Sequence, residues 1–246
     1  MTAPTDADEG CAVLELRQYT LHPGRRDELI EIFEREFIES QEALGIRVVG
    51  EFRDLDDSDR FVWMRGFRDM EARREALTAF YRGPVWRTHR DTANAAMIDW
   101  SDVLLLRPTA PGCGFALAGA ARPPVGAAER PSSIVTATIC LLESPLDAEF
   151  LRGFDTRLRP ALAEAGGAPI AWFASETAEN TYPALPVRTG EHAFVWFSTF
   201  ADASRHREHL ERLARSNEEA LYALAARLAR PLQTLRLAPA ARSLLR

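Results

Sequence analysis

The stretch FVWMRGFRDMEARREAL, Phe61 to Leu77, occurs twice in this chain, and its repetition decides the fold. The later copy reads FVWFSTFADASRHREHL, Phe194 to Leu210, and agrees with the first at about half of its positions without a gap. Both copies share a Phe-Val-Trp strand core, a following Asp, and Arg-Glu-x-Leu in the next helix. Because the period is close to half the chain, the sequence predicts two copies of one small domain instead of a solenoid.

The patterns around each copy predict the same order of elements. In the first half, VLELRQYTL (Val13–Leu21) alternates like a strand, and residues 25–42 carry apolar residues at helical spacing. A second strand, a turn, the strand of the repeat, helices and a closing strand follow, and the order recurs from Ile134 onward. The sequence therefore predicts an α+β fold of tandem ferredoxin-like βαββαβ repeats that form an intramolecular dimeric α/β barrel.

The same patterns predict the domain boundaries. We expect a disordered acidic N-terminus at residues 1–11, a first ferredoxin-like domain at 12–108 and a second at 132–240. Residues 109–131 are rich in Ala, Gly and Pro and are typical of a linker.

Composition excludes several classes of function. The 246 residues carry a net charge of −6, which argues against a nucleic-acid surface, and the absence of lysine excludes a lysine Schiff base. Three widely spaced cysteines indicate neither a disulfide framework nor a zinc site, and the acidic N-terminus is unlike a signal peptide. No apolar run approaches the ~20 residues of a membrane span. We expect a cytoplasmic protein, a monomer or homodimer, whose partner is a small-molecule ligand, with neither nucleic acid nor membrane insertion.

Alternation along the strands separates an aliphatic face from a mixed one. We predict that the aliphatic sets meet the helices and that the mixed sets point into the space between the two sheets. Buried charges are costly unless paired, so the mixed set indicates either an internal ion-pair network or a site for an anionic ligand. The predicted substrate-binding residues are Arg17, Arg47, Arg65, Trp63, Trp196 and Ser198.

Four residues are candidates for proton transfer. His89 lies on the helical piece after Pro84, and histidine as a residue type suits proton transfer near neutral pH, although an exposed or capping histidine is the plainer interpretation. Glu15 or Glu51 could act as a base if burial raises its pKa, and Tyr19 could donate a proton. The predicted catalytic set is therefore His89, Glu15, Glu51 and Tyr19. His206 and His209 could take part in a metal site, but a solvated helix face explains them more simply, and we expect neither metal nor cofactor.

The opening ELRQYTLHPG (Glu15–Gly24), the strand-helix repeat and the closing LLLRP resemble the NIPSNAP family. The resemblance implies a dimeric α/β-barrel fold and names no reaction, and in the second half the Glu-Leu-Arg opening is replaced by Thr136-Ala137-Thr138. The wider barrel superfamily includes cofactor-free oxygenases, cyclases, dehydratases, isomerases and haem enzymes. Our hypothesis is a cofactor-independent enzyme of this kind, acting on a hydrophobic, partly anionic metabolite of biosynthesis or secondary metabolism. The alternative is a non-catalytic small-molecule-binding or scaffold protein of the NIPSNAP type.

Overall fold

A computed structural model describes residues 11–216 and 218–246, and their strands close into an eight-stranded antiparallel barrel with helices on its outside. All but one residue of the predicted disordered N-terminus lies outside the described residues. The strands are β1 (Val13–Leu21), β2 (Arg47–Asp54), β3 (Arg60–Phe67), β4 (Met97–Pro108), β5 (Ile134–Leu142), β6 (Pro169–Ser175), β7 (His192–Phe200) and β8 (Gln233–Pro239). The α-helices are α1 (Arg26–Ile32), α2 (Ile38–Glu42), α3 (Met70–Arg82), α4 (Pro84–Ala95), α5 (Ala148–Gly153), α6 (Arg159–Glu164), α7 (Ala203–Ser216) and α8 (Glu218–Ala225), with π-helical turns at Phe33–Phe37 and Phe154–Leu158.

The strands follow one another around the barrel in the order β4-β1-β3-β2 and then β8-β5-β7-β6. The first half (β1–β4 with its helices) and the second half (β5–β8 with its helices) therefore occupy separate arcs. Pairing within each arc is extensive, with eight residue pairs between β1 and β3 and nine between β5 and β7. The two seams between the arcs are short: β2–β8 and β4–β6 have three residue pairs each.

The barrel interior is filled by aliphatic and phenylalanine side chains. Leu14 and Leu16 of β1 belong to the same buried cluster as Val135 and Ala137 of β5, together with β-strand residues from the rest of the barrel. Because this cluster draws on strands of both halves, it forms the core where the two sheets face each other. The aliphatic faces thus meet one another across the interior.

The mixed faces lie under the helices, so the predicted assignment of the two faces is wrong. Tyr19 and Trp63 pack with Phe33 and Phe37 of the π-helical turn between α1 and α2. Aromatic side chains of the strands thus contact aromatic side chains of the helical layer. The space between facing sheets is narrow and has little room for paired charges, whereas the helix layer can supply partners. The residues misplaced by the prediction are Glu15, Arg17, Tyr19, Glu51, Trp63, Arg65, Trp196 and Ser198, whereas Arg47 is exposed at the start of β2.

Two histidines of the second half are also placed differently from the prediction. His206 and His209 of α7 are buried, with 4% and 7% exposure, and pack on the ring of Phe200. They form the inward stripe of α7, while Leu210 is half exposed. The solvated helix face that we expected is therefore wrong, because the inward stripe of this helix carries histidine where an apolar residue is usual.

A β-bulge at Val49 shifts the alternation of β2. Pairing with β3 skips from Val48 to Gly50, so that Val49 and Phe52 both join the interior cluster. The chain beyond β8 returns over this bulge, where the backbone N–H of Leu245 donates to the Val49 carbonyl at 2.9 Å. A side chain on Gly50 would meet the Phe52 ring at 2.5 Å and Ser243 Oγ at 2.6 Å. The bulge therefore requires glycine at this position.

We expect Gly50→Ala to lower the free energy of unfolding by about 1–3 kcal/mol, because the added methyl overpacks a filled core. Gly114→Ala is the matched control, since its nearest neighbour would be Pro108 Cγ at an ordinary 3.5 Å, and it should change stability by less than about 0.5 kcal/mol. Denaturant titration of both variants measures the difference. Equal stabilities would contradict this account of the bulge.

Candidate functional site

Glu15, in the middle of β1, is fully buried and binds three arginines at once. Its Oε2 accepts hydrogen bonds from Arg17 Nη1 at 2.6 Å and Arg65 Nε at 2.7 Å, and its Oε1 accepts one from Arg73 Nε at 2.6 Å. Arg17 lies on the same face of β1, Arg65 is directly opposite on β3, and Arg73 comes from the first turn of α3. All four side chains have 0% exposure. We call these four residues the arginine cluster.

The arginine cluster carries more positive than negative charge. Three guanidinium groups face one carboxylate, which leaves a net charge of +2 in the interior. Arg65 Nη1 and Arg73 Nη1 donate to the uncharged oxygens of Gln41 and Asn180, both at 3.0 Å. The Nη2 atoms of all three arginines are buried and have no hydrogen-bond partner within residues 11–216 and 218–246. Because uncompensated buried charge is costly, the cluster can accept a second anion.

Electrostatics fix the protonation states of the two acids in contact with Arg17. Burial works to raise the pKa of Glu15, but Arg65, Arg17 and Arg73 outweigh it and hold that pKa well below its usual range. Arg17 Nε donates to Tyr19 Oη at 2.8 Å. Burial raises the pKa of Tyr19, and Arg17 only partly offsets it. Glu15 therefore stays ionised, while Tyr19 stays protonated near neutral pH and can donate its hydrogen to a further acceptor.

A cavity of about 210 Å³ lies beside the arginine cluster on the helix side of β1. The guanidinium carbon of Arg17 is 5.4 Å from the ring centre of Tyr19, and that of Arg65 is 6.0 Å from the ring centre of Tyr81. The rings of Tyr19 and Tyr81 thus lie between the positive charge and the cavity. Trp100 is 41% exposed, which places part of the lining at the protein surface. The lining residues are Tyr19, Tyr81, Trp86, Asn94, Met97, Trp100, Tyr182, Ala184 and Leu185.

The structure brings together about half of the residues predicted from the sequence. Tyr19 lines the cavity, Glu15, Arg17 and Arg65 form the cluster behind it, and Trp63 stacks beneath Arg65, with the guanidinium carbon 4.9 Å from the ring centre. Four other predicted residues lie elsewhere. Nε2 of His89 is 3.5 Å from Oε2 of Glu36, and Arg47 is exposed and bonded to the Leu117 carbonyl. Trp196 and Ser198 lie under the helices of the second half.

Sequence reasoning missed Arg73, although the pattern of α3 contains a signal for it. Arg73 lies in the same buried stripe as Ala76, Leu77 and Phe80, at helical spacing. A charged residue on an apolar stripe needs a buried partner, and Glu15 was the available one. Asn180 and the cavity residues of the second half carry no comparable signal, because they lie in an irregular connection.

The second half has lost the charges of the cluster at the equivalent positions. The strand register aligns Glu15 with Thr136, Arg17 with Thr138 and Arg65 with Ser198. The repeat aligns Arg73 with His206, whose pKa is lowered, chiefly by burial. The charged site is therefore specific to the first half.

Glu51 is the second buried carboxyl of the first half, and its environment is the opposite of that of Glu15. Both carboxyl oxygens are buried without a hydrogen-bond partner in the described chain, and Arg122 Nη1 is 3.9 Å away. Burial raises the pKa of Glu51 to about 8, against the opposing charge of Arg122. The raised pKa suits a base, but Glu51 is not part of the cavity lining.

The described residues contain no cluster of three or more His, Cys, Asp or Glu side chains arranged to hold a metal ion. Within residues 11–216 and 218–246, no helix is both long and apolar enough to cross a membrane.

An antiparallel eight-stranded barrel with helices outside and a polar site beneath them defines a class of mixed α/β barrel proteins. Within that class, the NIPSNAP family model matches residues 14–111, which confirms the predicted resemblance for this part of the chain. No curated protein sequence matches the chain significantly.

Solved structures share this architecture at low sequence identity. A candidate monooxygenase from Fusobacterium nucleatum is 8% identical, with a TM-score of 0.60 over 94% of this chain and 93% of its own. An anthrone oxidase-like protein is 12% identical, with a TM-score of 0.52 over 94% of this chain and 92% of its own. A NIPSNAP-like domain protein from Burkholderia xenovorans is 24% identical, covers 46% of this chain and 90% of its own, and has a TM-score of 0.37. The first two likenesses show the fold.

We expect Glu51→Gln to flatten the decline of stability between about pH 4.5 and pH 8. The pKa of Glu51 rises from 4.5 to about 8 on folding, so its contribution is fully present below pH 4.5 and is lost as pH rises through 8. The loss is roughly 1.4 kcal/mol for each pH unit over which the two states differ in protonation. Denaturant titrations at pH 5, 7 and 9 measure it. Glu129→Gln, at an exposed linker position, should keep the wild-type slope, and an unchanged slope in Glu51→Gln would contradict the assignment.

Proposed function

We propose that this chain binds a small, hydrophobic and partly anionic molecule in the cavity beside Tyr19 and acts on it without a bound cofactor. The observation that carries the proposal is the net charge of +2 on the arginine cluster, directly behind an aromatic wall. In an interior of low dielectric constant, this charge favours an anion at the wall. Arg17 and Arg65 supply the attraction, and Tyr19 supplies the hydrogen bond.

The size and lining of the cavity favour an aromatic ligand of one or two rings. Cavities of roughly 150 Å³ hold a benzene ring in other proteins, and this one measures about 210 Å³. Its walls are chiefly aromatic, so that ring stacking and edge contacts are available on several sides. Asn94 adds a neutral polar group to this lining. An aromatic carboxylate or a phenolate has the chemistry that these walls would recognise.

Tyr19 is the residue best placed for proton transfer or for stabilising a developing oxyanion. Arg17 holds its hydroxyl in place, and the pKa of Tyr19 is raised, so the phenol can donate its hydrogen to an oxygen that gains negative charge. Oxygenation, cyclisation, dehydration and isomerisation can each create such an oxygen. The names of two similar structures, a monooxygenase and an anthrone oxidase-like protein, make oxygenation the first reaction to assay.

The proposal extends to the architecture. We infer that each half is a ferredoxin-like repeat, at 12–108 and 132–240, because each supplies four adjacent strands in the same relative order. The first repeat would carry the site, and the second would complete the barrel. A biosynthetic role, including secondary metabolism, is compatible with this division and with the resemblance to the NIPSNAP family.

A non-catalytic binding or scaffold protein is the second candidate. The filled barrel interior favours it, because the space between the sheets holds side chains where a substrate was expected. The cavity lining, as far as the described residues define it, also contains no carboxylate or imidazole group. Catalysis would therefore depend on tyrosine hydroxyls, which turnover measurements can test.

Binding of 2-naphthoate should weaken about 10- to 100-fold in Arg17→Met, because the variant removes one positive charge behind the wall and the hydrogen bond that holds the Tyr19 hydroxyl. Glu15 keeps Arg65 and Arg73 as partners in this variant, so the fold should survive. The equivalent position of the second half offers a control, Thr138→Val, which should bind like the wild type. Quenching of tryptophan fluorescence reports binding, since Trp86 and Trp100 line the cavity. Equal affinities of Arg17→Met and Thr138→Val for 2-naphthoate would show that the arginine cluster does not contribute to binding.

Tyr19→Phe separates catalysis from binding, because it keeps the ring on the cavity wall and removes the hydroxyl. With 1-naphthol as the probe and an oxygen electrode as the detector, we expect oxygen uptake by the wild type. The variant should lose at least about 100-fold in turnover, whereas the affinity for 2-naphthoate should fall no more than about tenfold, the contribution of one hydrogen bond. Wild-type binding without uptake of oxygen would favour the non-catalytic candidate.

A further inference from the structure

The connection between β6 and β7 is unusually long and reaches the cavity of the first half. We call residues 176–191 the β6–β7 segment; it has sixteen residues without helix or strand, whereas residues 55–59 suffice between β2 and β3. Irregular connections of this length inside a compact fold usually have a function. Three residues of the segment, Tyr182, Ala184 and Leu185, line the cavity. The second half therefore supplies one wall of a site whose charges belong to the first.

Arg73 holds the β6–β7 segment through polar contacts between the halves. Arg73 Nη1 donates to Asn180 Oδ1 at 3.0 Å and to Thr181 Oγ1 at 3.3 Å, and the Thr181 hydroxyl donates to the Met70 carbonyl at 2.9 Å. The Nε of the same arginine donates to Glu15. One side chain thus contacts both the charged cluster and the wall that faces it.

Asn180 also fixes the shape of the wall. Its Nδ2 donates to the Leu185 carbonyl at 2.9 Å, and its Oδ1 accepts the backbone N–H of Tyr182 at 3.1 Å. The ring of Tyr182 stacks on Tyr81, with 5.8 Å between centres and 22° between planes. Contact with Arg73 therefore determines where Tyr182 and Leu185 stand in the cavity.

The two ends of the segment are anchored independently of Arg73. The backbone N–H of Glu176 donates to the Leu105 carbonyl at 2.8 Å, and that of Arg188 donates to the Val103 carbonyl at 2.9 Å. Arg188 Nη1 also contacts Asp102 at 3.1 Å. Loss of the Arg73 contacts should consequently release the tip of the segment without unfolding the barrel.

We propose that the β6–β7 segment is the size-selective wall of the cavity, and that the hydrogen bond from Arg73 to Asn180 holds it closed over aromatic anions of one or two rings. This inference rests on the proposed function. Tyr182 and Leu185 are the specificity-determining residues, and Asn180 is a positioning residue. Larger aromatic anions are excluded because they would have to displace the segment.

Hydrogen–deuterium exchange read by mass spectrometry tests the hold on the segment without any ligand. The double variant Asn180→Ala/Thr181→Val removes both acceptors of Arg73 Nη1, and amides within residues 177–187 should exchange at least about tenfold faster. Thr181→Val alone keeps the Asn180 acceptor for Arg73 and should retain most of the protection. Ser132→Ala, which removes a bond to the Ala201 carbonyl elsewhere in the second half, should leave the segment unchanged. Unchanged exchange in the double variant overturns the proposed hold.

Ligand selectivity tests the wall itself, with 2-naphthoate and anthracene-2-carboxylate as probes in fluorescence titrations of the full chain. The wild type should prefer 2-naphthoate, and Leu185→Ala should lower the preference about tenfold, because it enlarges the cavity where the third ring would lie. The double variant should lower it as well, and Thr181→Val alone, which keeps the Asn180 acceptor, should leave it close to that of the wild type. If Leu185→Ala binds 2-naphthoate with the same preference over anthracene-2-carboxylate as the wild type, the inference is overturned and the proposed function is not. A wild type that binds neither carboxylate overturns the proposed function and the inference together.

Discussion

The structure of the first half depends on a single carboxylate that must satisfy three buried guanidinium groups. Glu15 ties β1 to β3 through Arg65 and β1 to α3 through Arg73, so one ion fixes the distance between the sheet and its helices. Removing one partner of a buried ion pair costs about 3–5 kcal/mol in general, and here three cations would lose their counterion. The position of Tyr19 follows from the same constraint, because Arg17 is held by Glu15 and in turn holds the tyrosine.

The two halves share a barrel but not a chemistry. Their aliphatic faces form one common core, which makes each half necessary to the other. Their outer faces have diverged: beneath the first set of helices lie charges, and beneath the second lie Thr136, Thr138 and aromatic rings. A chain of two halves can maintain a costly charged face in one half, since the other half contributes to stability by ordinary apolar packing.

The repeat and the alternation within strands were sufficient to predict the order of elements and the separation of each strand into two faces. They could not tell which face points inward, because both faces are buried and only the partner surface distinguishes them. The bulge at Val49 was a further obstacle, since it places Val48 and Phe52 on opposite sides of β2 although their spacing is even. The alternation along β1 was sufficient to place Glu15, Arg17 and Tyr19 on one face of that strand. Asn180, from an irregular connection of the other half, depends on the tertiary fold and could not be found from local pattern.

The halves are joined by fewer residue pairs than the strands within each half, and this difference determines where the barrel opens first on heating. Neighbouring strands inside a half share five to nine residue pairs, but three pairs join the halves at each seam. Fluctuations that break a few bonds will therefore part the molecule along β2–β8 or β4–β6 before either half melts. An intermediate that has opened along a seam would keep most of its secondary structure. It would also move the residues of the second half away from the cavity that they line.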